Sequence, residues 1–210
     1  MTWLNFIILA ATLPPQQNAA YQWNEQVTTL LAQGKNVEAV AAGRQAVASA
    51  VTTFGAQHPA TAMMIRNLAV AYEREGEYGR AEASANRALS ILTGLFGETD
   101  VSLTPVLNVM VETYALQRRY ADAEKLGRRA VAIGAGAGLH YATALHNLGA
   151  VLEAEGDRAA ARQFYAQALE VRRAMLPASH PYIEQTQTAL ERVGRKPAKV
   201  LAVKDSAFVQ

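Results

Sequence analysis

The side chains best suited to catalysis or metal binding are few in this chain. It has four histidines and no cysteine, which excludes disulfides, thiolate metal sites and a cysteine nucleophile. His140 and His146 are six residues apart, whereas a helical zinc pair needs a spacing such as i, i+4. His58 and His180 each precede a proline at a predicted helix start, where histidine can lie at the cap. No Ser, His and acid cluster has a recognisable spacing, so we predict neither a metal site nor an enzyme.

A glycine-rich segment from Gly134 to Gly138 is the other candidate for chemistry, because phosphate-binding loops are rich in glycine. Such loops follow a strand and open a helix, so that backbone N–H groups converge on the phosphate. This segment follows a predicted helix and lacks both the G-x-G-x-x-G and the G-K-[ST] spacing. We interpret it as a connection between helices and predict no cofactor.

One small-residue signature returns four times and indicates the architecture. Its copies start at Ala39, Ala81, Ala123 and Ala161, so the first three are 42 residues apart and the fourth follows after 38. A second alanine stands seven residues after the first in each copy, on the same stripe of a helix, where small side chains let another helix approach. Such a period predicts stacked helical hairpins, since one hairpin cannot bury its apolar face alone.

Each hairpin needs a turn between its two helices, and glycine is present there in three units. Gly34, Gly76 and Gly156 can supply the left-handed residue that ends a helix. The third unit has Arg118-Arg119-Tyr120 instead, and a non-glycine residue at positive φ costs about 1 kcal/mol. We expect this turn to be distorted. We also expect a looser or shorter junction at the glycine-rich segment that ends the same unit.

These residues resemble the tetratricopeptide repeat. The closest copy of its pattern is Leu145-x2-Leu148-Gly149-x2-Leu152, followed by Ala161, Tyr165 and Ala168. The 42-residue period and the ending Phe54-Gly55-x2-His58-Pro59 resemble the kinesin-light-chain variety of this family.

The resemblance covers residues 20–193 and implies an all-α fold, a right-handed α-solenoid of about four helical hairpins plus a closing C-terminal helix. The predicted divisions are a leader at 1–20, repeats at about 21–59, 60–103, 104–141 and 142–181, a closing helix at 182–193 and a basic tail at 194–210.

The resemblance also implies a binding surface on the first helix of each hairpin, where an asparagine often clamps the backbone of an extended peptide. Asn67 and Asn147 occupy matching places, and a carboxamide offers both a donor and an acceptor to a peptide group. The matching residues are Val109 in the third repeat and Glu25 in the first, so the clamp is incomplete. Alternatively, both amides are solvated or bind the neighbouring repeat. Five further candidates lie on or beside the same face: Arg66, Arg74, Asn108, Glu112 and His146.

The charge distribution argues against a nucleic-acid partner. The formal net charge is +2, but residues 194–210 carry four basic residues and one acid, which leaves a net charge of −1 for the rest. Acidic and basic residues alternate on the predicted helices, whereas a nucleic-acid binder shows a basic stripe on one structured face.

The N-terminal residues resemble a secretion signal. Trp3 to Leu13 is an uncharged, mostly apolar run that is too short to span a bilayer. Ala19 and Ala20 offer small residues for cleavage, although no basic residue precedes the run and Asn18 fits the −3 position poorly. We predict a cleaved leader and an exported, periplasmic or secreted, mature chain without a membrane span. The alternative is a cytoplasmic protein whose apolar N-terminal helix covers the first repeat.

The sequence thus predicts a non-enzymatic scaffold that binds a peptide or protein partner in its concave groove. Two other hypotheses stay open. One is a structural, self-associating component of a larger envelope assembly, and the other is a regulatory subunit of an enzyme encoded elsewhere.

Overall fold

The computed structural model describes residues 15–195, and the regular structure in this range is entirely helical. The predicted leader core and most of the predicted basic tail lie outside these residues. Nine α-helices and one 3-10 helix, Val101–Leu103, follow one another in the described range. The α-helices are α1 (Pro15–Ala32), α2 (Asn36–Phe54), α3 (Pro59–Glu75), α4 (Tyr78–Phe96), α5 (Thr104–Leu116), α6 (Tyr120–Gly134), α7 (Leu139–Glu155), α8 (Arg158–Met175) and α9 (Pro181–Gly194). None of these helices is both long and apolar enough to cross a bilayer.

The helices form two layers. Consecutive helices pack against each other throughout, and each odd-numbered helix also contacts the nearest odd-numbered helices. Even-numbered helices do not contact one another within residues 15–195. The odd-numbered helices therefore lie closer together, so that the array curves with α1, α3, α5, α7 and α9 on its inner side. The predicted all-α solenoid of helical hairpins is confirmed.

The small-residue stripe lies where helices of the two layers approach most closely. At the glycine of the first copy, an added Cβ on Gly43 would stand 2.9 Å from the Leu68 side chain of α3. The alanines at the first and last positions of the four copies are at most 1% exposed: Ala39, Ala46, Ala81, Ala88, Ala123, Ala130, Ala161 and Ala168. The stripe is therefore core, as predicted.

Tyr165 is the one bulky residue in the stripe, and a glycine opposite makes room for it. A Cβ added to Gly149 would stand 3.0 Å from the Tyr165 ring and 3.3 Å from the Ala161 carbonyl oxygen. Tyr165 is fully buried, and its hydroxyl donates a hydrogen bond of 2.9 Å to Glu153. The missing side chain of Gly149 on α7 thus makes room for the ring of Tyr165 on α8.

The turn between α5 and α6 corrects one expectation. Arg118 adopts φ 60°, and no other non-glycine residue in the described range has positive φ. Its N–H donates to Ala115 O at 2.9 Å, and the following N–H donates to Tyr114 O at 2.9 Å. The turns at Gly76 and Gly156 show the same hydrogen-bond pattern. The turn is therefore regular, because Arg118 adopts the strained conformation instead of deforming the turn.

The junction after α6 does not show the expected shortening: residues 135–138 link α6 to α7, and the link between α2 and α3, residues 55–58, has the same length. The shortening lies in α6 itself. Helix α6 has 15 residues, whereas α2 and α4 have 19 each. The chain then turns through Gly136 at φ 97° and Gly138 at φ 58°. Both values lie in the left-handed region that glycine adopts without strain.

The two ends of the described array are covered in different ways. Helix α9 packs on α8 and buries Ile183, Ala189 and Val193. Helix α1 begins at Pro15, six residues before the predicted repeat boundary at Tyr21. Ala20 is fully buried in a cluster with Met64 and two alanines of α2. Cleavage after Ala20 would therefore cut within α1 and remove a buried side chain.

Replacing Arg118 by glycine should stabilise the protein. Relief of about 1 to 2 kcal/mol of left-handed strain exceeds the added freedom of about 0.5 to 1 kcal/mol in the unfolded chain. We expect Arg118→Gly to raise the free energy of unfolding in urea by about 0.5 to 1 kcal/mol. Arg118→Ala is the control, because alanine keeps the strained conformation and should bring no gain. An Arg118→Gly variant no more stable than Arg118→Ala would contradict a strained turn.

Enlarging the stripe should destabilise the protein. We expect Ala88→Leu and Ala130→Leu each to lower the free energy of unfolding by about 1 to 3 kcal/mol, because no space is left between the layers. The matched controls are Ala83→Leu on α4 and Ala132→Leu on α6, where both alanines are exposed. Equal stability of the core and surface variants in thermal melts would mean that the layers separate easily.

Candidate functional site

The inner layer carries a polar depression at the C-terminal half of the array. One hollow of about 330 Å³ is lined by Arg74, Glu112, Thr143, His146, Asn147, Ala150, Arg172, Tyr182 and Gln185. A neighbouring hollow of about 500 Å³ is lined by Glu73, Arg74, Tyr78, Glu112, Ala115 and Leu116. Because Arg74 and Glu112 line both hollows, the two form one depression that extends from α3 across α5 and α7 to α9. We call it the polar groove.

The polar groove brings together four of the seven predicted binding residues: Arg74, Glu112, His146 and Asn147. Helix periodicity explains this, since these residues face inward from three odd-numbered helices that lie side by side. Asn147 Nδ2 donates a hydrogen bond of 2.7 Å to Glu112 Oε1 on the neighbouring repeat. One amide proton of Asn147 is therefore used between repeats.

Asn67 makes a similar bond but lies outside the polar groove. Its Nδ2 donates to Asn24 Oδ1 on α1 at 2.6 Å. Both predicted clamp residues thus bind the preceding repeat, which was the alternative open at the level of sequence. Only Asn147 also lines the groove.

Two carboxylates at one end of the polar groove have raised pKa values. Glu73 is 6% exposed, and Thr113 Oγ1 donates to its Oε2 at 2.8 Å. Burial, together with the nearby charge of Glu112, raises the pKa of Glu73 to about 7. Burial also raises the pKa of Glu112, while the Asn147 hydrogen bond and the charge of Arg74 oppose this shift. At neutral pH this end therefore carries less than two negative charges.

A buried arginine and a neutral histidine form the opposite end. Arg172 is 2% exposed, and its Nη1 donates to the Tyr182 carbonyl oxygen at 2.8 Å and to the Thr186 hydroxyl. His146 is 8% exposed, and its Nδ1 lies 3.3 Å from Thr186 Oγ1. Burial and the positive charge of Arg172 lower the pKa of His146 to about 4. The imidazole is therefore uncharged at neutral pH.

The remaining two predicted residues lie elsewhere. Asn108 is 4% exposed, and its Nδ2 donates to the His140 carbonyl oxygen at 2.9 Å. It thereby joins α5 to the first turn of α7. Arg66 lines a different cavity, near the N-terminal ends of α3 and α5.

The polar groove presents charged and amide side chains that can bind a polar ligand. Acidic and basic side chains alternate along it, and the amide of Asn147 adds a neutral donor and acceptor.

In residues 15–195 no group of three or more His, Asp or Glu side chains could hold a metal ion. His58 and His180 cap helices as predicted, since each Nδ1 accepts the N–H two residues on, at 3.1 and 3.2 Å.

Two charged residues of the groove, Glu73 and Arg172, were missed at the level of sequence. Arg172 continues the small-residue stripe of α8, four residues after Ala168, so the stripe itself predicts its burial. Its position among neighbouring basic residues at a helix end suggests a solvated charge instead. Glu73 carries no such signal, because its burial depends on the approach of Thr113 from the next repeat.

Comparison with known proteins agrees with this geometry. A family model described as tetratricopeptide repeat matches residues 19–94 and 103–174. Among curated proteins, none is significantly similar in sequence.

Three solved structures illustrate the similarity in fold. Kinesin light chain nearly identical TPR-like repeats of Podosopora anserina are 21% identical, with a TM-score of 0.65 over 82% of this chain and 84% of that chain. BtubC (BKLC) from P. vanneervenii is 22% identical, with a TM-score of 0.65 over 81% of this chain and 69% of that chain. The apo form of RapI is 17% identical, with a TM-score of 0.65 over 83% of this chain and 62% of that chain.

The raised pKa of Glu73 predicts a stability difference that depends on pH. Between its ordinary value of 4.5 and about 7, the folded chain binds more protons at Glu73 than the unfolded chain does, so its contribution to stability falls as the pH rises. Glu73→Gln keeps an acceptor for Thr113 and removes this penalty. We expect it to raise the free energy of unfolding by about 3 kcal/mol at pH 8.5 and by no more than about 1 kcal/mol at pH 5.

Urea unfolding at both pH values measures this effect. The control is Glu155→Gln, at an exposed position on α7, which should shift stability by less than about 0.5 kcal/mol at either pH. Equal effects of Glu73→Gln at pH 5 and pH 8.5 would show that Glu73 is ionised in the folded protein throughout.

Proposed function

The chain belongs to the tetratricopeptide repeat family, and from this membership and the polar groove we propose that it is a non-enzymatic scaffold that binds a segment of a peptide or protein partner. The observation that carries the proposal is the convergence of Arg74, Glu112, His146 and Asn147 in one depression. These side chains come from three helices in three successive hairpins. A surface assembled from several repeats suits an extended ligand that crosses the helices.

The side chains of the polar groove favour a partner segment that presents both charged side chains and an accessible backbone carbonyl group. Arg74 is exposed and has no ion-pair partner in the described part of the chain. Glu112 is already partly balanced by the Asn147 amide and by the charges of Arg74 and Arg172. A segment with an acidic residue opposite Arg74 and a backbone carbonyl near the free amide proton of Asn147 would satisfy groups that only water satisfies otherwise.

Site-specific crosslinking tests whether a partner occupies the groove. A photoreactive benzoyl-phenylalanine at Ala150, an exposed residue that lines the groove, should crosslink a distinct protein in the native host. The same residue at Ala132, which is exposed on α6 of the outer layer, should not crosslink it. Crosslinks from Ala132 alone would place the interface on the outer layer. Crosslinks only between copies of this chain would favour the self-associating alternative.

Matched asparagine variants then measure the contribution of the groove to affinity. With the crosslinked partner purified, Asn147→Ala together with Arg74→Gln should weaken binding about 10-fold or more, which corresponds to the loss of one neutral and one charge-assisted hydrogen bond. Asn67→Ala is the control, because it removes an equivalent inter-repeat bond outside the groove. It should change affinity by less than about twofold. The Asn147→Ala single variant is measured alongside, and equal losses from it and from Asn67→Ala would show that both amides act only through repeat packing.

A further inference from the structure

A smaller cavity lies between the N-terminal parts of α3 and α5 and the first turn of α7. Its volume is about 270 Å³, near the lower end of the range for small-ligand sites. Apolar side chains form most of its wall, and Arg66, Ser102 and His140 are its polar members. It shares no lining residue with the polar groove. Arg66 and Arg74 are separated by roughly 12 Å along α3, at 1.5 Å per residue.

Arg66 is a cation without an anion in this cavity. Its Nε is buried and has no hydrogen-bond partner among the described residues. Three other arginines in the described range are buried or half-buried, and each of them donates hydrogen bonds: Arg129 to Glu98, Arg158 to two carbonyl oxygens and Arg172 to Tyr182. Arg66 is itself half-buried, and a buried guanidinium N–H without such a partner is unfavourable unless a ligand supplies one.

His140 adds a second donor beside Arg66. The hydrogen bond from Asn108 to the His140 carbonyl oxygen fixes this end of α7 at the cavity. Burial and the positive charge of Arg66 lower the pKa of His140, so its imidazole is neutral at pH 7 and keeps one N–H. Arg66 is thus the single positive charge in the cavity wall. Burial alone lowers the pKa of Arg66, without opposition from any carboxylate of the described residues.

We propose that this cavity binds a carboxylate carried on a short apolar group. The guanidinium of Arg66 would pair with the carboxylate, and the side chains of Met63, Leu92 and Val106 would contact the apolar group. One cation matches the single charge of a carboxylate, and the apolar wall disfavours a fully hydrated anion. The ligand is either a free organic acid or an Asp or Glu side chain of a partner, since both present the same group.

NMR titration of the full chain with hexanoate tests the charge recognition. The Arg66 Nε–Hε resonance, assigned by its absence in Arg66→Gln, should shift and saturate as hexanoate is added. The pKa of His140 should rise in the bound state, because a nearby anion stabilises the imidazolium. Hexanamide, which has the same shape without the charge, should bind at least about 10-fold more weakly. Equal binding of hexanoate and hexanamide would overturn the proposal.

Substitutions locate the site. Arg66→Gln should weaken hexanoate binding at least about 10-fold, Arg66→Lys should retain part of it, and Arg87→Gln, at an exposed position on α4, should leave it unchanged. Circular dichroism verifies that each variant is folded. If Arg66→Gln does not fold, Arg66→Lys, which also lacks the Nε–Hε group, assigns that resonance, and its shift and that of His140 in the unsubstituted protein still decide the question. Equal weakening by Arg66→Gln and Arg87→Gln would overturn the assignment to this cavity.

Two peptides distinguish the sources of the carboxylate. Acetyl-Ala-Glu-Ala-amide is compared with the same peptide containing Gln, by the same resonances. Binding of the Glu peptide with preference over the Gln peptide supports a partner side chain, and binding of hexanoate alone supports a free acid. Saturable binding of neither hexanoate nor the Glu peptide would overturn the proposal. Because no residue of the polar groove is involved, that outcome would leave the scaffold function untouched.

Discussion

The close approach of the two helix layers is the constraint on which the rest of this structure depends. At Gly43 a single methyl group would stand 2.9 Å from Leu68, and the alanines of the stripe are almost completely buried. Because the layers are this close, the odd-numbered helices of successive hairpins contact one another and form a continuous inner surface. A wider separation would remove those contacts, and with them the polar bonds that join one odd-numbered helix to the next.

Those inter-repeat bonds give the inner surface its chemistry. Asn147 reaches Glu112, Thr113 reaches Glu73, and Asn108 reaches the backbone of His140, each across a repeat boundary. Burial makes these groups sensitive to their neighbours, which is why the pKa of Glu73 rises to about 7 while that of His146 falls to about 4. The same packing that stabilises the array therefore sets the charge of the groove at neutral pH.

The fold could be predicted from the sequence because its signal is periodic and local. The stripe spacing, the turn glycines and the histidine caps each act within a few residues, and all appear in the structure where the periodicity places them. The site could be predicted only in part. The burial of Glu73 and Arg172 depends on which side chain of the next repeat faces them. The hydrogen bond of Asn67 likewise depends on Asn24 of the preceding repeat. A helix period specifies the face of a residue, but it does not specify the opposing group.

One repeat position shows why sequence position alone does not determine role. Arg66, Asn108 and His146 each follow the first apolar residue of the pattern, on α3, α5 and α7. Arg66 stands in an apolar cavity without an anion, Asn108 is buried and holds the next hairpin, and His146 is neutral beside Arg172 in the groove. Their backbones are equivalent, so the differences arise from side-chain chemistry against different neighbours. A repeat array can thus carry separate recognition sites along one surface without any change in its fold.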